Sequence, residues 1–254
     1  HFSVRIVAPC FAGVAPLKRH RMVYAAVDEL TTLLDSILDN SPGSKPLMLT
    51  LTSKNRPVGN SGAELYQASR AMLLDHQRAL KAFFAYKRVQ SAILGHVTSI
   101  ECDFATLNGQ LTVHWHSHSL LITAPGALSD HRYIRQAEWC RLWGRALGVP
   151  YTPIVDIRTI KASNGTSTDR AALKRAAKEV LKYAFDTDIY RHENRAVAVD
   201  PRVAVAFAVA SYRRRLVSMD RIFLDAKRRL RAARKNSGET PKPHPADDAG
   251  YSPK

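Results

Sequence analysis

The sequence predicts an α+β fold: an antiparallel sheet in the ferredoxin-like succession, followed by a C-terminal helical extension. Three observations predict it. Between about residues 47 and 160 the residue periodicities run strand, helix, strand, strand, helix, strand. Asn108-Gly109 is the strongest short-range hairpin signal, and it joins the two middle strands. The return arm, residues 112–122, carries His114, His116 and His118 alternating with Val113, Trp115 and Ser117, ahead of Leu120-Leu121-Ile122. Successive side chains of a strand point to opposite faces, so the three imidazoles share one face.

Residues 1–17 are irregular, punctuated by Pro9, Gly13 and Pro16. Val23, Ala26, Val27, Leu30, Leu34, Ile37 and Leu38 then recur at helical spacing, predicting an amphipathic helix over 18–38 that Asn40, Ser41, Pro42 and Gly43 end. Residues 47–52 alternate as a short strand. Ser61, three residues before Glu64, forms a capping-box signature for a long helix to about Val89, its stripe marked by Leu65, Ala68, Met72, Ala79 and Phe83. His76 falls inside that stripe and is expected to be a satisfied core or boundary histidine.

Residues 96–104 make the outgoing arm of the hairpin. Ala124, Pro125 and Gly126 close the histidine strand, and Ser129 or Asp130 can cap a helix carrying Ile134, Trp139, Trp143 and Ala146. Gly148 supplies a left-handed cap and Pro150 prevents continuation. Residues 152–160 form the next strand. In this topology the first and third strands are central, so the histidine strand lies mid-sheet, with helices on one face and the other face open.

Asp169 begins a helix to about Phe185, with Leu173, Ala176, Ala177, Val180, Leu181 and Ala184 on one face. Glu179 and Tyr183, four apart, sit on the flank of that stripe, and Lys174, Lys178 and Lys182 line the opposite edge. From this helix alone, Tyr183 suits a boundary aromatic better than a functional residue. A further helix with Val203, Ala206, Phe207 and Ala210 is interrupted near 216–219 and resumes as the basic segment 221–235. The tail from Asn236 lacks periodicity and is expected to be disordered.

At 254 residues the chain suits one large domain with an appendage or two small ones. Its net charge is +16, and residues 202–235 hold eleven Lys or Arg against only Asp220 and Asp225. Such clustering predicts a polyanionic partner, nucleic acid or an anionic membrane surface. No apolar run is long enough to span a bilayer and no signal peptide is seen. The chain opens on His1, as expected of a fragment. Cys10, Cys102 and Cys140 build neither a disulfide framework nor a zinc ribbon, so a cytoplasmic setting is expected.

Three imidazoles side by side make a poor core, because several ring nitrogens would lack partners. A divalent cation gives their lone pairs a use. Two histidines at i and i+2 provide two ligands, and a Lewis-acid cation needs a third. Glu101, on the paired strand, is the first candidate and Asp103, on the same face, the fallback. A carboxylate suits a hard cation such as Mg2+ or Mn2+. A structural zinc site competes, but Cys102 points to the other face.

These residues resemble the plasmid rolling-circle replication initiators (Rep proteins) of the HUH endonuclease class. The resemblance is carried by Leu47-Met48-Leu49-Thr50-Leu51-Thr52, Ile100-Glu101, His114-Trp115-His116-Ser117-His118 and Ala137-Glu138-Trp139 with Leu142-Trp143. It continues through Tyr151-Thr152-Pro153-Ile154-Val155-Asp156-Ile157-Arg158, Glu179-Val180-Leu181-Lys182-Tyr183 and Arg215-Leu216-Val217-Ser218. It covers about residues 45–220 and implies an HUH endonuclease fold. It implies His116, His118 and Glu101 as metal ligands, Tyr183 as a nucleophile forming a 5′-phosphotyrosine, and Glu179 as the group that handles water at termination. Lys182, Arg213, Arg214 and Arg215 are candidate DNA contacts, with a solvated helix edge as the other reading of Lys182.

The implied partners are origin DNA, as recognised duplex and as single-stranded nick site, and a host helicase, polymerase and single-strand-binding protein, with no membrane. The implied organisation is an N-terminal helical segment (1–44), an HUH nickase domain (45–190), a basic helical extension (191–235) and the tail (236–254). This chain departs from the class at Ser117, where the intervening residue is usually hydrophobic. His114-Trp115-His116 fits that pattern, so His114 is an alternative ligand. The cysteine cluster that some relatives carry ahead of the catalytic domain is reduced here to Cys10. A transposase or relaxase of the same class, or a basic ferredoxin-like nucleic-acid-binding module without catalysis, are the competing readings.

Overall fold

A computed structural model describes residues 16–58, 62–107, 110–161, 169–185, 191–192, 195–196 and 201–236, with side chains over 21–58, 62–104, 110–161, 169–181, 205–233 and 235–236. The elements are α1 (Pro16–Asp39), β1 (Pro46–Thr52), β2 (Arg56–Pro57), α2 (Gly62–Ala85), α3 (Lys87–Ala92), β3 (Ile93–Leu107) and β4 (Gln110–Thr123). They continue as α4 (Gln136–Leu147), β5 (Val155–Thr159), α5 (Arg170–Phe185), β6 (Arg191–His192), β7 (Arg195–Ala196), α6 (Pro201–Ser211), β8 (Val217–Met219) and α7 (Arg221–Asn236). The turn at 108–109, Ser61 of the expected capping box and the expected disordered tail beyond Asn236 lie outside the described residues.

The main sheet runs β5-β1-β4-β3-β8, with β2 pairing β4 beyond the end of β1. Its first four strands follow the ferredoxin-like order, and the fold is compatible with the HUH endonuclease class. The histidine strand β4 is central, between β1 and β3, and all these pairings are antiparallel.

Alternation along β4 decides what each face meets. Val113, Trp115 and Leu121 point into a core shared with α2, α4 and α6, where Leu65, Leu73, Phe83, Trp139, Trp143 and Ala210 are buried. Trp143 fixes α4 to the sheet, its indole Nε1 donating to the Thr52 carbonyl at 2.7 Å. Leu120 and Ile122 point the other way, with Val97 of β3, into a second core. Leu30, Leu34 and Ile37 of α1, Leu173, Ala177 and Val180 of α5, and Phe223 and Ala226 of α7 fill it.

The expectation of an open second face is therefore corrected. The run 120–122 is apolar on both faces of its strand, as buried strands are, and three helices cover the outward half. Gly95 admits one of them: a β-carbon there would collide with the Ile222 side chain of α7.

Other boundaries differ for local reasons. The helix expected to reach Val89 breaks at Tyr86, whose extended backbone precedes the short α3. The helix expected from Ser129 or Asp130 begins at Gln136, without a side-chain cap. Asp130 instead closes its own turn, accepting from the Arg132 amide at 2.7 Å. Ile134 accordingly precedes the helix. The interruption near 216–219 is β8, an extra edge strand that pairs Val97 with Met219 and Ser99 with Val217. Gly148 adopts the expected left-handed cap, with φ of 66°. Asp169 caps α5, its Oδ1 accepting from the Ala172 amide at 2.6 Å.

Candidate metal centre

The β3–β4 register sets Glu101 opposite His116 and Asp103 opposite His114, so all four occupy one face of a single hairpin with His118. The Oε2 of Glu101 lies 3.1 Å from Nε2 of His116 and 3.5 Å from Nε2 of His118. The ligand-type atoms of Glu101, His116 and His118 all fall within 4.8 Å of one another. Glu101 is buried, and its Oε1 has no hydrogen-bond partner. A buried carboxylate with an unmatched oxygen, aimed at two imidazole nitrogens, is a donor set that fits a divalent cation.

The neighbouring strand orients the second histidine. Thr50 of β1 pairs with His118, and its Oγ1 lies 3.0 Å from Nδ1 of the ring. That contact leaves Nε2 for the Glu101 side, the way metal-binding imidazoles are usually held by their other nitrogen. Burial pushes the His116 imidazole toward neutrality, but its hydrogen bond to Glu101 and the charges of Glu101 and Asp103 outweigh burial and hold its pKa above the ordinary value. The His114 imidazole, 3.7 Å away, holds the Asp103 carboxyl below its usual range, against the opposing effect of burial. Cys102 points to the opposite face, buried, with its thiol pKa pushed up by burial.

Asp103 and His114 form a second grouping with His116, again with ligand-type atoms within 4.8 Å of one another. The expected fallback ligand and the alternative ligand thus belong together rather than to the Glu101 group. The residue between the two inner histidines, Ser117, is fully buried on the Trp115 face, which meets α2, α4 and α6, and its hydroxyl has no hydrogen-bond partner.

Helix α5 packs on β3 and β4, on the face the histidines share. Glu179 is exposed on it, and Tyr183 follows one turn later. The side chains of Tyr183 and Lys182 lie outside the described residues. Arg213, Arg214 and Arg215 are exposed between α6 and β8, and belong to neither ligand grouping. Arg213 takes a positive φ of 53° with its guanidinium over the Tyr212 ring.

Sequence reasoning missed Thr50, because the register of β1 against β4 joins segments almost seventy residues apart. It also missed Arg88. That guanidinium holds Glu138 through its Nε at 2.7 Å and the carbonyls of His131 and Tyr133, tying the start of α4 to α3. His76 is buried as expected but not satisfied: neither ring nitrogen has a hydrogen-bond partner. Its ring meets Trp143 edge-on, and burial, reinforced by His116 and His114, lowers its pKa to about 3.

Among the described residues no helix is long and apolar enough to cross a membrane. A family model described as Replication protein (Rep_1) matches residues 4–245. The "Protein rep" of Lentilactobacillus hilgardii is 33% identical over 68% of this chain and 52% of its own length. That of Lactiplantibacillus plantarum is 30% identical over 71% and 54%. That of Streptococcus pneumoniae is 28% identical over 91% and 66%. The chain spans about half the length of the first two. No solved structure matches it. With nearly its whole length matched by one model, the chain belongs to the Rep_1 family of replication proteins.

Proposed function

We propose that this chain contains the catalytic part of a plasmid rolling-circle replication initiator, a metal-dependent endonuclease that nicks and rejoins origin DNA through a tyrosine. One observation carries the reading. Glu101, His116 and His118 converge on the sheet face where α5, the helix bearing Glu179 and Tyr183, is packed. Cation ligands and a candidate nucleophile therefore belong to one side of one sheet.

In this reading Glu101 and the Nε2 atoms of His116 and His118 hold Mg2+ or Mn2+, with Thr50 fixing the His118 ring. A bound divalent cation supplies Lewis-acid stabilisation of charge on the phosphate and the leaving oxygen. The Tyr183 hydroxyl attacks the scissile phosphorus and gives its proton to solvent. A bond forms from its oxygen to the 5′-phosphate, and the bond to the 3′ oxygen breaks, that oxygen taking a proton from solvent to leave a free 3′-hydroxyl that primes synthesis. Glu179, one helical turn away, serves the water-dependent step that releases the strand at termination. In this reading the catalytic unit covers 45–190, and 1–44 and 191–235 are additions whose α1, α6, β8 and α7 pack into its cores and onto its sheet. Lys182 and Arg213 to Arg215 are backbone contacts to origin DNA. The priming end is then used by a host helicase, polymerase and single-strand-binding protein in the cytoplasm.

A non-catalytic nucleic-acid module is the weaker reading, because it leaves the buried Glu101 and its two imidazoles without a task. Incubating the protein with a single-stranded origin oligonucleotide and Mn2+ separates the two. A covalent protein–DNA adduct is expected on a denaturing gel, lost with chelator and in Tyr183→Phe, which keeps the ring and removes only the hydroxyl. No adduct from the unmodified chain, or an undiminished adduct from Tyr183→Phe, overturns the reading.

A further inference from the structure

The two nitrogens of His116 serve different carboxylates. Nε2 faces Glu101, whereas Nδ1 lies 3.5 Å from Oδ2 of Asp103. The same Oδ2 is 3.7 Å from Nδ1 of His114, whose ring stacks on His116 with centroids 5.1 Å apart and planes 24° from parallel. One carboxylate oxygen thus stands between two Nδ1 atoms, the arrangement that Glu101 repeats with two Nε2 atoms one step further along the hairpin. The inner group is enclosed. The outer group opens to solvent, with the Asp103 side chain 67% exposed. A cation held there would keep water in its remaining positions.

We propose that Asp103, His114 and Nδ1 of His116 form a second, outer cation site, bridged to the inner one by the His116 ring. The inference uses the proposed inner site only through that shared ring. The donor set, two imidazole nitrogens and one carboxylate oxygen, matches that of the inner group, so the shared His116 ring and not the donors decides which ion fills both sites at once. Both nitrogens of one imidazole bind ions at once only when the ring has given its remaining proton to solvent. Zn2+ and Co2+ favour that loss far more than Mg2+ does. The second ion would place positive charge at the solvent-facing edge of the site, where a phosphate backbone can approach.

Equilibrium dialysis of the full chain against Zn2+, with metal counted by elemental analysis, tests the proposal independently of nicking. Two ions per chain are expected for the unmodified protein, and one for either His114→Ala or Asp103→Asn. Glu101→Gln, which weakens only the inner group, should lose the other ion and keep the outer one. With Co2+, loss of the outer ion should remove one component of the visible absorption while leaving the second. A single Zn2+ in the unmodified chain, or two retained in both His114→Ala and Asp103→Asn, overturns the outer site. If Glu101→Gln leaves the count at two while His114→Ala lowers it to one, the inner assignment fails and the outer site stands. Thermal melts of each variant confirm that the counts refer to folded protein.

Discussion

Glu101 and His116 face each other directly across the β3–β4 hairpin, with Oε2 and Nε2 3.1 Å apart. Without a cation this pair favours an imidazolium. Because the folded pKa of His116 is raised, the stability it contributes is complete below about pH 6.5 and is lost as the pH rises through that raised value. A cation reverses the trend, since it requires the unprotonated ring. The increase in melting temperature on adding Mn2+ should therefore grow from pH 6 to pH 8. Glu101→Gln should weaken Mn2+ binding at least as much as the roughly 10- to 100-fold typical of losing an outer-shell partner. Calorimetry at several pH values measures both. Unchanged affinity in Glu101→Gln would remove this carboxylate from the ligand set.

Glu179 is exposed one turn before Tyr183. If it serves only the water-dependent release, Glu179→Gln should still form the covalent adduct but accumulate it, with release slowed about a hundredfold to ten-thousandfold. A denaturing gel over a time course shows this. Loss of adduct formation in Glu179→Gln would assign the carboxylate to the first step instead.

His76 is held neutral in the core with a pKa of about 3, whereas in the unfolded chain it titrates near 6.5. Below pH 6.5 the unfolded state binds the additional proton, so stability falls as the pH drops from there toward 3. The full loss is about 5 kcal/mol. His76→Leu removes two unmatched ring nitrogens along with the titration, and should flatten this acid limb in urea melts at pH 4 to 7. An acid limb as steep as in the parent chain would place the titrating group elsewhere.

Helix α7 is both a core element and a basic surface. Phe223 and Ala226 are buried, while Arg229, Arg231 and Lys235 are exposed. Removing residues 221–254 would consequently unpack the second core, and charge substitution is the cleaner probe. Replacing Arg229, Arg231 and Lys235 together by Gln should leave the melting temperature near its parent value. The slope of log affinity for duplex DNA against log salt should fall by up to about three, at roughly 0.9 per phosphate contact. An unchanged slope would mean that α7 faces solvent in the complex.

Much of the site was legible because it is local. Glu101, His116 and His118 lie on two strands whose paired ends, Leu107 and Gln110, are close in sequence, and period-two alternation places them on one face without any long-range contact. What was not legible depends on distant segments. Thr50 reaches His118 only through the β1–β4 register, and β8 joins the sheet only because the backbone of β3 is free at that edge. The covering of the second face needed Gly95 to be read as clearance for Ile222 rather than as a break in a strand. The unmatched nitrogens of His76 lay beyond reach too, since a helical stripe reports burial and not hydrogen bonding.

The hairpin also limits how the chain can vary over evolutionary time. Glu101 and His116 are fixed by a pairing that runs unbroken from Gly95↔Ile122 to Leu107↔Gln110. A residue gained or lost between the ligands and the anchored end, within 97–101 or 116–120, turns the following side chains to the opposite face and carries ligands into the aromatic core beneath Trp115. Additional residues at the tip, beyond Leu107 and Gln110, change neither facing nor pairing below them. Length variation among relatives should therefore gather at that tip, where a longer loop can gain new contacts while the interval that sets the ligands stays constant.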